Sequence, residues 1–284
     1  MVAPVKEATG LDDATIHRYH EFIGTVLSWA VEKNWLPYNV CYRQGPTVGP
    51  RKEHDFYTDE QVDEFVESLR GADIRFIVVA CIAFFMGLRR AEICGLDIYK
   101  DINLDRGYLT VRNNYLYTHE DGCFLDTTKT AASVRTLMIP QPVQQAILAL
   151  KEWRKRQKQL LGDRWKNSSH LITTEEGAPI HPDTVSYWMR RHRKKYHLPY
   201  ITLRGARHTN ATILIYNHVD IASVANNLGH ASITTTLNRY THAIVESGQK
   251  DIANTINNRF GKSVELFESE TKIISHNGPI TDQT

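Results

Sequence analysis

The sequence predicts a mainly α-helical domain carrying a small antiparallel β-sheet, an α+β arrangement, on three observations. Apolar residues recur at helical spacing over most of the chain. One stretch, residues 108–140, changes to alternation broken by turn residues. The composition, 42% hydrophobic and 23% charged over 284 residues, supplies one large domain or a domain with an appendage, and is too apolar for a disordered chain.

Residues 13 to 33 read as one amphipathic helix, with Ile16, Tyr19, Ile23, Val26, Leu27, Ala30 and Val31 on one stripe. Little precedes this helix to cover that stripe, so it docks on the main domain or ends a domain whose start is absent. Residues 37–56, with Gly45, Pro46, Gly49, Pro50 and the basic Arg51-Lys52, have linker composition. Thr58-Asp-Glu-Gln61 is a capping-box pattern opening a helix to Leu69. The longest apolar run, residues 76–86, is about half the ~20 residues of a membrane span. It reads as a buried helix ending at Gly87.

In residues 108–140, Tyr108, Thr110 and Arg112 alternate with Leu109, Val111 and Asn113, and strands also follow around Phe124 and over 134–139. The turns fall at residues 119–122 and 127–133, giving a sheet of about three strands. Helices return over 142–161, 184–196, 203–216, 221–228, 233–243 and 249–260, and residues 263–284 read as a disordered tail.

The formal net charge is only +2, but residues 151–240 hold fifteen Lys and Arg against six Asp and Glu. Within them, Arg154-Lys155-Arg156 and the run of Arg190, Arg191, Arg193, Lys194 and Lys195 form clusters with Trp153, Trp188 and Tyr196 nearby. Such patches match a phosphate-backbone footprint, and equally a solvated helix face. The four cysteines, Cys41, Cys81, Cys94 and Cys123, fit neither a disulfide framework nor a zinc site, and the first residues lack the apolar core of a secretory signal. A reducing cytoplasm is the expected location.

Four segments carry chemistry. In Gly87-Leu-Arg-Arg-Ala-Glu92, Arg89 can present a planar fork to a phosphate while Glu92 holds it, or the two can simply pair on a helix. Lys129 at a hairpin tip can donate a proton to a leaving oxygen, or be an ordinary turn lysine. Arg204 and Arg207 share a helix face and can converge on one anion, whereas His208 points elsewhere and reads as structural. Leu228-Gly-His230, with Tyr240 ten residues on, can place an imidazole and a phenol at one site, although a tyrosine there can also be core.

The order Gly-Leu-Arg-x-x-Glu, Thr-Lys-Thr, Arg-x-x-Arg-His-Thr, Leu-Gly-His and Asn-x-Tyr-x-His resembles the tyrosine recombinase, or phage-type integrase, family. The integrases of Gram-positive phages and integrative elements are the most similar in spelling. The resemblance runs from Tyr57 to Phe260 and implies the catalytic fold of the DNA breaking-rejoining enzymes. It implies that Tyr240 attacks a DNA phosphodiester to give a 3′-phosphotyrosyl link, for integration or excision of a mobile element. Arg89 and Arg207 would clamp the non-bridging oxygens, His230 would donate to the phosphate, Lys129 would protonate the departing 5′-oxygen, and Glu92 would support the clamp. Neither metal nor ATP is expected, since the phosphoester energy is kept in the covalent link.

The family usually has histidine where this chain has Arg204. A guanidinium keeps its proton, so Arg204 is expected to hold the electrostatic role while cleavage is slowed, and restoring histidine is expected to raise the rate. The resemblance further implies double-stranded DNA as partner, a homotetramer on DNA through exchange of the C-terminal helix (which could equally dock on its own chain), and accessory DNA-bending proteins. The expected domains are residues 1–48, the end of a helical core-binding domain plus linker, then a catalytic domain over 49–262, then the tail. Most of the core-binding layer is expected to be missing. Two alternatives stand beside this reading: a shortened, weak or inactive DNA-binding remnant, and a type IB topoisomerase of the same tyrosine chemistry.

Overall fold

The structure, a computed structural model, describes residues 8–42, 45–46, 56–127 and 134–260, with side chains as far as residue 256. Lys129, most of the linker and the tail at 263–284 lie outside the described residues. The chain divides into two units, Met1–His54 and Asp55–Thr284.

In the first unit, helix α1 (Asp13–Glu32) begins where the Asp12 carboxylate accepts the Thr15 N–H at 2.7 Å. Asn39 donates to the Gly24 carbonyl and the Ser28 hydroxyl, both at 2.7 Å, and fastens the short 3₁₀ turn Val40–Tyr42 to that helix. Part of the apolar stripe is exposed, Tyr19 at 57%, while Ile16 is buried.

The second unit is built around α3 (Ile74–Met86), which is apolar on all sides and buried nearly throughout. It follows α2 (Asp59–Ser68), opened by the expected Thr58–Gln61 capping box. Packed against α3 are α5 (Gln141–Leu161), α6 (Pro182–Lys195) and α7 (Leu203–Tyr216). Gly87 ends α3 in the left-handed conformation at φ 67°, and a Cβ there would lie 2.6 Å from the Asn210 side chain of α7. The next turn is α4 (Arg90–Gly95).

Among the described residues the β region holds five short strands, where about three were expected. Strands β1 (Ile102–Asn103), β2 (Tyr108–Val111) and β5 (Arg135–Met138) form one antiparallel sheet in the order β1-β2-β5. A separate ribbon pairs β3 (Asn113–Thr118) with β4 (Gly122–Thr127), Tyr115 facing Leu125. At two residues, β1 is too short to show alternation, and Arg112 alone separates β2 from β3. Val111 pairs with Arg135, so the register delivers Arg135 from the sheet.

After α7 come α8 (Ile221–Leu228) and α9 (Ile233–Phe260). The sequence suggested a break near residues 244–248. The structure instead has one long element with its kink at Tyr240, where φ −114° and ψ 21° interrupt the helix. A second, smaller core forms here from Ala211, Ile215, Val224, Leu228, Tyr240 and Ala243.

The close approach of α4 to β3 depends on Gly95, where a Cβ would lie 2.7 Å from the Asn113 carbonyl oxygen. Gly95→Ala is therefore predicted to cost about 1–3 kcal/mol by displacing β3, read as a lower urea midpoint. An unchanged midpoint would show that the ribbon yields freely.

Candidate active site

The site is assembled around one buried carboxylate. Glu92 is 2% exposed and lies in the first turn of α4, where an acid also suits the helix N-terminus. Its oxygens accept the Arg89 backbone N–H at 2.7 Å and the Arg89 guanidinium at 2.7 Å. Arg135 meets the same carboxylate with a two-pronged bond at 3.0 and 2.9 Å. Arg207 stands 3.9 Å away. Burial alone would raise the Glu92 carboxyl. The hydrogen bonds and charge of Arg135, then those of Arg89, outweigh it and hold the group below its ordinary range, ionised.

The same three guanidiniums gather the end of α8. Arg135 donates to the Asn227 carbonyl at 2.8 Å, Arg207 to Leu228 at 2.6 Å, and Arg89 to Gly229 at 3.2 Å. They thereby satisfy carbonyls at the negative end of the helix. Gly229 takes φ 63°, and a Cβ there would lie 2.6 Å from the Arg135 guanidinium. Its turn is closed by the Gly229 and His230 N–H groups donating back to Asn226 and Ala225. Arg207, 4% exposed, also donates to the Gly87 carbonyl at 2.8 Å. Burial and then the neighbouring Arg89 push Arg207 down to about 9, so it stays charged at neutral pH. A guanidinium carries five N–H donors, more than those two carbonyls take up.

His230 bonds through Nδ1 to the Thr236 hydroxyl at 2.7 Å. Burial, then the charges of Arg207, Arg89, Arg239 and Arg135, lower it to about 4, leaving a neutral imidazole at pH 7. A threonine hydroxyl can donate to Nδ1, and in that tautomer the neutral ring carries its proton on Nε2, where it can donate to a ligand.

Tyr240 is 6% exposed, and its hydroxyl lies 2.8 Å from Nδ1 of His208. Burial raises the phenol to about 12 against the opposing charges of Arg207, Arg239 and Arg204. The hydroxyl thus sits within the field of the arginine group. His208 does not point away from the site, as its spacing from Arg204 suggested. Residues 207 and 208 lie on adjoining faces of α7. The first meets α3 and α8, and the second meets Tyr240 on α9.

The structure therefore brings together Arg89, Glu92, Arg207, His230 and Tyr240, with Arg204 exposed at the start of α7 and close enough to act on the phenol electrostatically. Lys129 lies outside the described residues. Sequence reasoning missed Arg135 as a member, as well as His208. A lone arginine opening a strand gives no spacing signal.

The basic clusters divide. Lys155, Arg156, Arg190, Arg191, Lys194 and Lys195 are exposed and Arg193 is half-buried, its guanidinium over the Tyr200 ring at 4.8 Å. Arg154 corrects the expectation of a DNA-facing cation. It is 7% exposed and donates to the carbonyls of His170 at 2.7 Å and Ser168 at 2.6 Å. It occupies the buried stripe of Val143, Ile147 and Leu150 on α5. Trp153 and Trp188 also turn inward, flanking Arg75 at 4.9 and 5.4 Å.

Comparison with known proteins gives the family. Residues 55–246 match the phage integrase family. The chain belongs to that family. It is 28% identical over 271 residues to a tyrosine recombinase XerC-like protein of Caldanaerobacter subterraneus subsp. tengcongensis, covering 88% of this chain and 68% of the relative. It is 27% identical over 251 residues to the ICEBs1 integrase of Bacillus subtilis, covering 87% of this chain and 66% of that protein. In fold it resembles the Tn1549 transposon integrase solved in complex with transposon right end DNA, with TM-score 0.74, 22% identity, and coverage of 89% and 82% of the two chains. As a phage integrase family member, the chain carries Arg-x-x-Arg-His-Thr over residues 204–209.

Two predictions follow from the charge arrangement. Glu92→Gln leaves Arg135 and Arg207 buried without their counter-charge and is predicted to cost about 3–5 kcal/mol, measurable by denaturant unfolding. His230 is predicted to titrate near 4 and not at its ordinary 6.5. Because the folded value is the lower one, its contribution to stability is complete above pH 6.5 and is lost as pH falls from there through 4. Imidazole NMR shifts check this, and a midpoint near 6.5 would refute it.

Proposed function

We propose that this chain is a site-specific DNA recombinase that cuts and rejoins strands through a 3′-phosphotyrosyl intermediate at Tyr240. The observation that carries the reading is the Tyr240 hydroxyl buried against His208 and within the field of Arg207, Arg239 and Arg204. Phosphoryl transfer needs an aligned nucleophile and cations around the phosphate, and little else from the protein.

In this reading Arg89 and Arg207 hold the non-bridging oxygens of a scissile phosphate, and Arg204 adds charge beside them. His230 donates through Nε2, and Glu92 fixes the clamp. Lys129 is assigned the protonation of the departing 5′-oxygen. The bond made to Tyr240 stores the energy of the bond broken, so the exchange balances without metal or nucleotide cofactor.

Double-stranded DNA is the proposed partner. The fold neighbour was solved on transposon DNA, and the exposed cations Lys155, Arg156, Arg190, Arg191, Lys194 and Lys195 suit phosphate backbones. Ile252 and Ile256 of α9 face solvent, which suits exchange of this helix around a homotetramer on DNA. Residues 1–48 are assigned to the DNA-clamping layer and 49–262 to catalysis, with accessory DNA-bending proteins completing the synapse in a bacterial cytoplasm.

Nicked suicide substrates from the ends of the encoding element test the reading. A covalent protein–DNA band is predicted, absent in Tyr240→Phe and reduced about 10²–10³-fold in Arg207→Lys, as for loss of a transition-state donor. DNA retention in a gel shift without any band would leave a binding protein, and site-independent relaxation of supercoils would point to a topoisomerase.

A further inference from the structure

We propose that His208 is the proton acceptor for the Tyr240 hydroxyl, a catalytic role that rests on the nucleophile assigned above and is carried by the 2.8 Å contact between His208 Nδ1 and the phenolic oxygen.

Attack by Tyr240 requires its phenolic proton to leave. Among the described residues the candidates are Arg204, His230 and His208, and the first two are unsuited. Arg204 occupies the motif position but stays protonated. His230 spends Nδ1 on Thr236 and is held to about 4 by burial and by Arg207, Arg89, Arg239 and Arg135, which makes it a weak base and leaves it a donor. His208 touches the reacting oxygen itself, at a distance suited to direct proton transfer. Both residues are buried, and this pair of side chains closes a direct path that needs no solvent.

The step balances. The Tyr240 oxygen forms a bond to phosphorus, and the bond from phosphorus to the 5′-oxygen breaks with its electron pair on that oxygen. The phenolic proton passes to His208 Nδ1, while the 5′-oxygen takes its proton from Lys129. In rejoining, the incoming 5′-hydroxyl returns a proton to Lys129 and the imidazolium returns its own to the departing phenolate. The proton is stored in the protein between the two steps. This bears on the expectation that arginine at position 204 slows cleavage, since His208, four residues on along α7, supplies an acceptor in its place.

The test uses the full chain on suicide DNA, measuring the rate of covalent adduct formation for wild type and His208→Asn. Asparagine keeps a polar atom near the Nδ1 position but cannot take the proton. The predicted loss is about 10²-fold or more, with gel-shift affinity unchanged. The loss should persist on a substrate with sulfur at the 5′-bridging position, whose departure needs no acid. It should shrink when Tyr240 is replaced by difluorotyrosine, whose more acidic phenol needs less help. A loss of equal size with the fluorinated phenol would reduce His208 to orienting the ring and overturn the proposal. An adduct rate in His208→Asn equal to or above wild type would overturn it too, leaving a contact that only parks the tyrosine. Absence of any Tyr240-dependent adduct in wild type would instead remove the recombinase reading, and this inference with it.

Discussion

The buried carboxylate of Glu92 is the interaction on which the site depends. Three arginines from three different elements, Arg89 at the start of α4, Arg135 on β5 and Arg207 on α7, converge on it or stand beside it. Taking ions out of water costs several kcal/mol each unless they are paired. The carboxylate offsets that cost for its neighbours, and the α8 carbonyls take part of what remains. Three guanidiniums against one carboxylate still leave a positive surplus. A phosphodiester undergoing transfer carries the opposite charge, spread over oxygens that guanidinium forks match. The cluster is thus internally paired while keeping a positive surplus, which suits the phosphate proposed for it.

That surplus also sets the chemistry of its neighbours. His230 is kept neutral by burial and because adding a proton beside these arginines is costly, which suits the donor role proposed for it. Tyr240 is pulled in two directions: burial raises its phenol, while Arg207, Arg239 and Arg204 favour the phenolate. Burial wins in the free protein, and the hydroxyl keeps its proton. In the proposed reading, such a nucleophile is activated by an acceptor and a bound phosphate acting together.

Much of the fold was legible in the sequence because long apolar periodicities translate directly into buried faces. The helix at 203–216 and the capping box at Thr58 needed no tertiary information. The separate ribbon β3–β4 and the two-residue β1 were not legible, since pairing there is decided by long-range packing and not by alternation. At the site, the residues named by motif order came together where they are described, whereas Arg135 and His208 were hidden for different reasons. Arg135 has no local pattern, and its partner Glu92 lies 43 residues away. His208 was discounted because helical spacing defines one face at a time, and the face it occupies acquires meaning only when α9 packs there. Arg154 shows the reverse error. Its charge suggested a surface role, yet its spacing from Leu150 and Ile147 already placed it on the inner stripe.

The division of the unit into two cores bears on how nucleophile and clamp can move. Arg207 and His208 are consecutive on α7, a helix whose first half, with Leu203 and Ala206, belongs to the main core, and whose second half, with Ala211 and Ile215, belongs to the small one. Tyr240 belongs to the small core alone, at a kink that already breaks the helical ladder. Fewer apolar contacts make such a segment the easier one to displace. In the proposed reading, His208 and the clamp residue Arg207 are neighbours on α7, so the group that would take the phenolic proton is carried by the same helix as a group that would hold the phosphate.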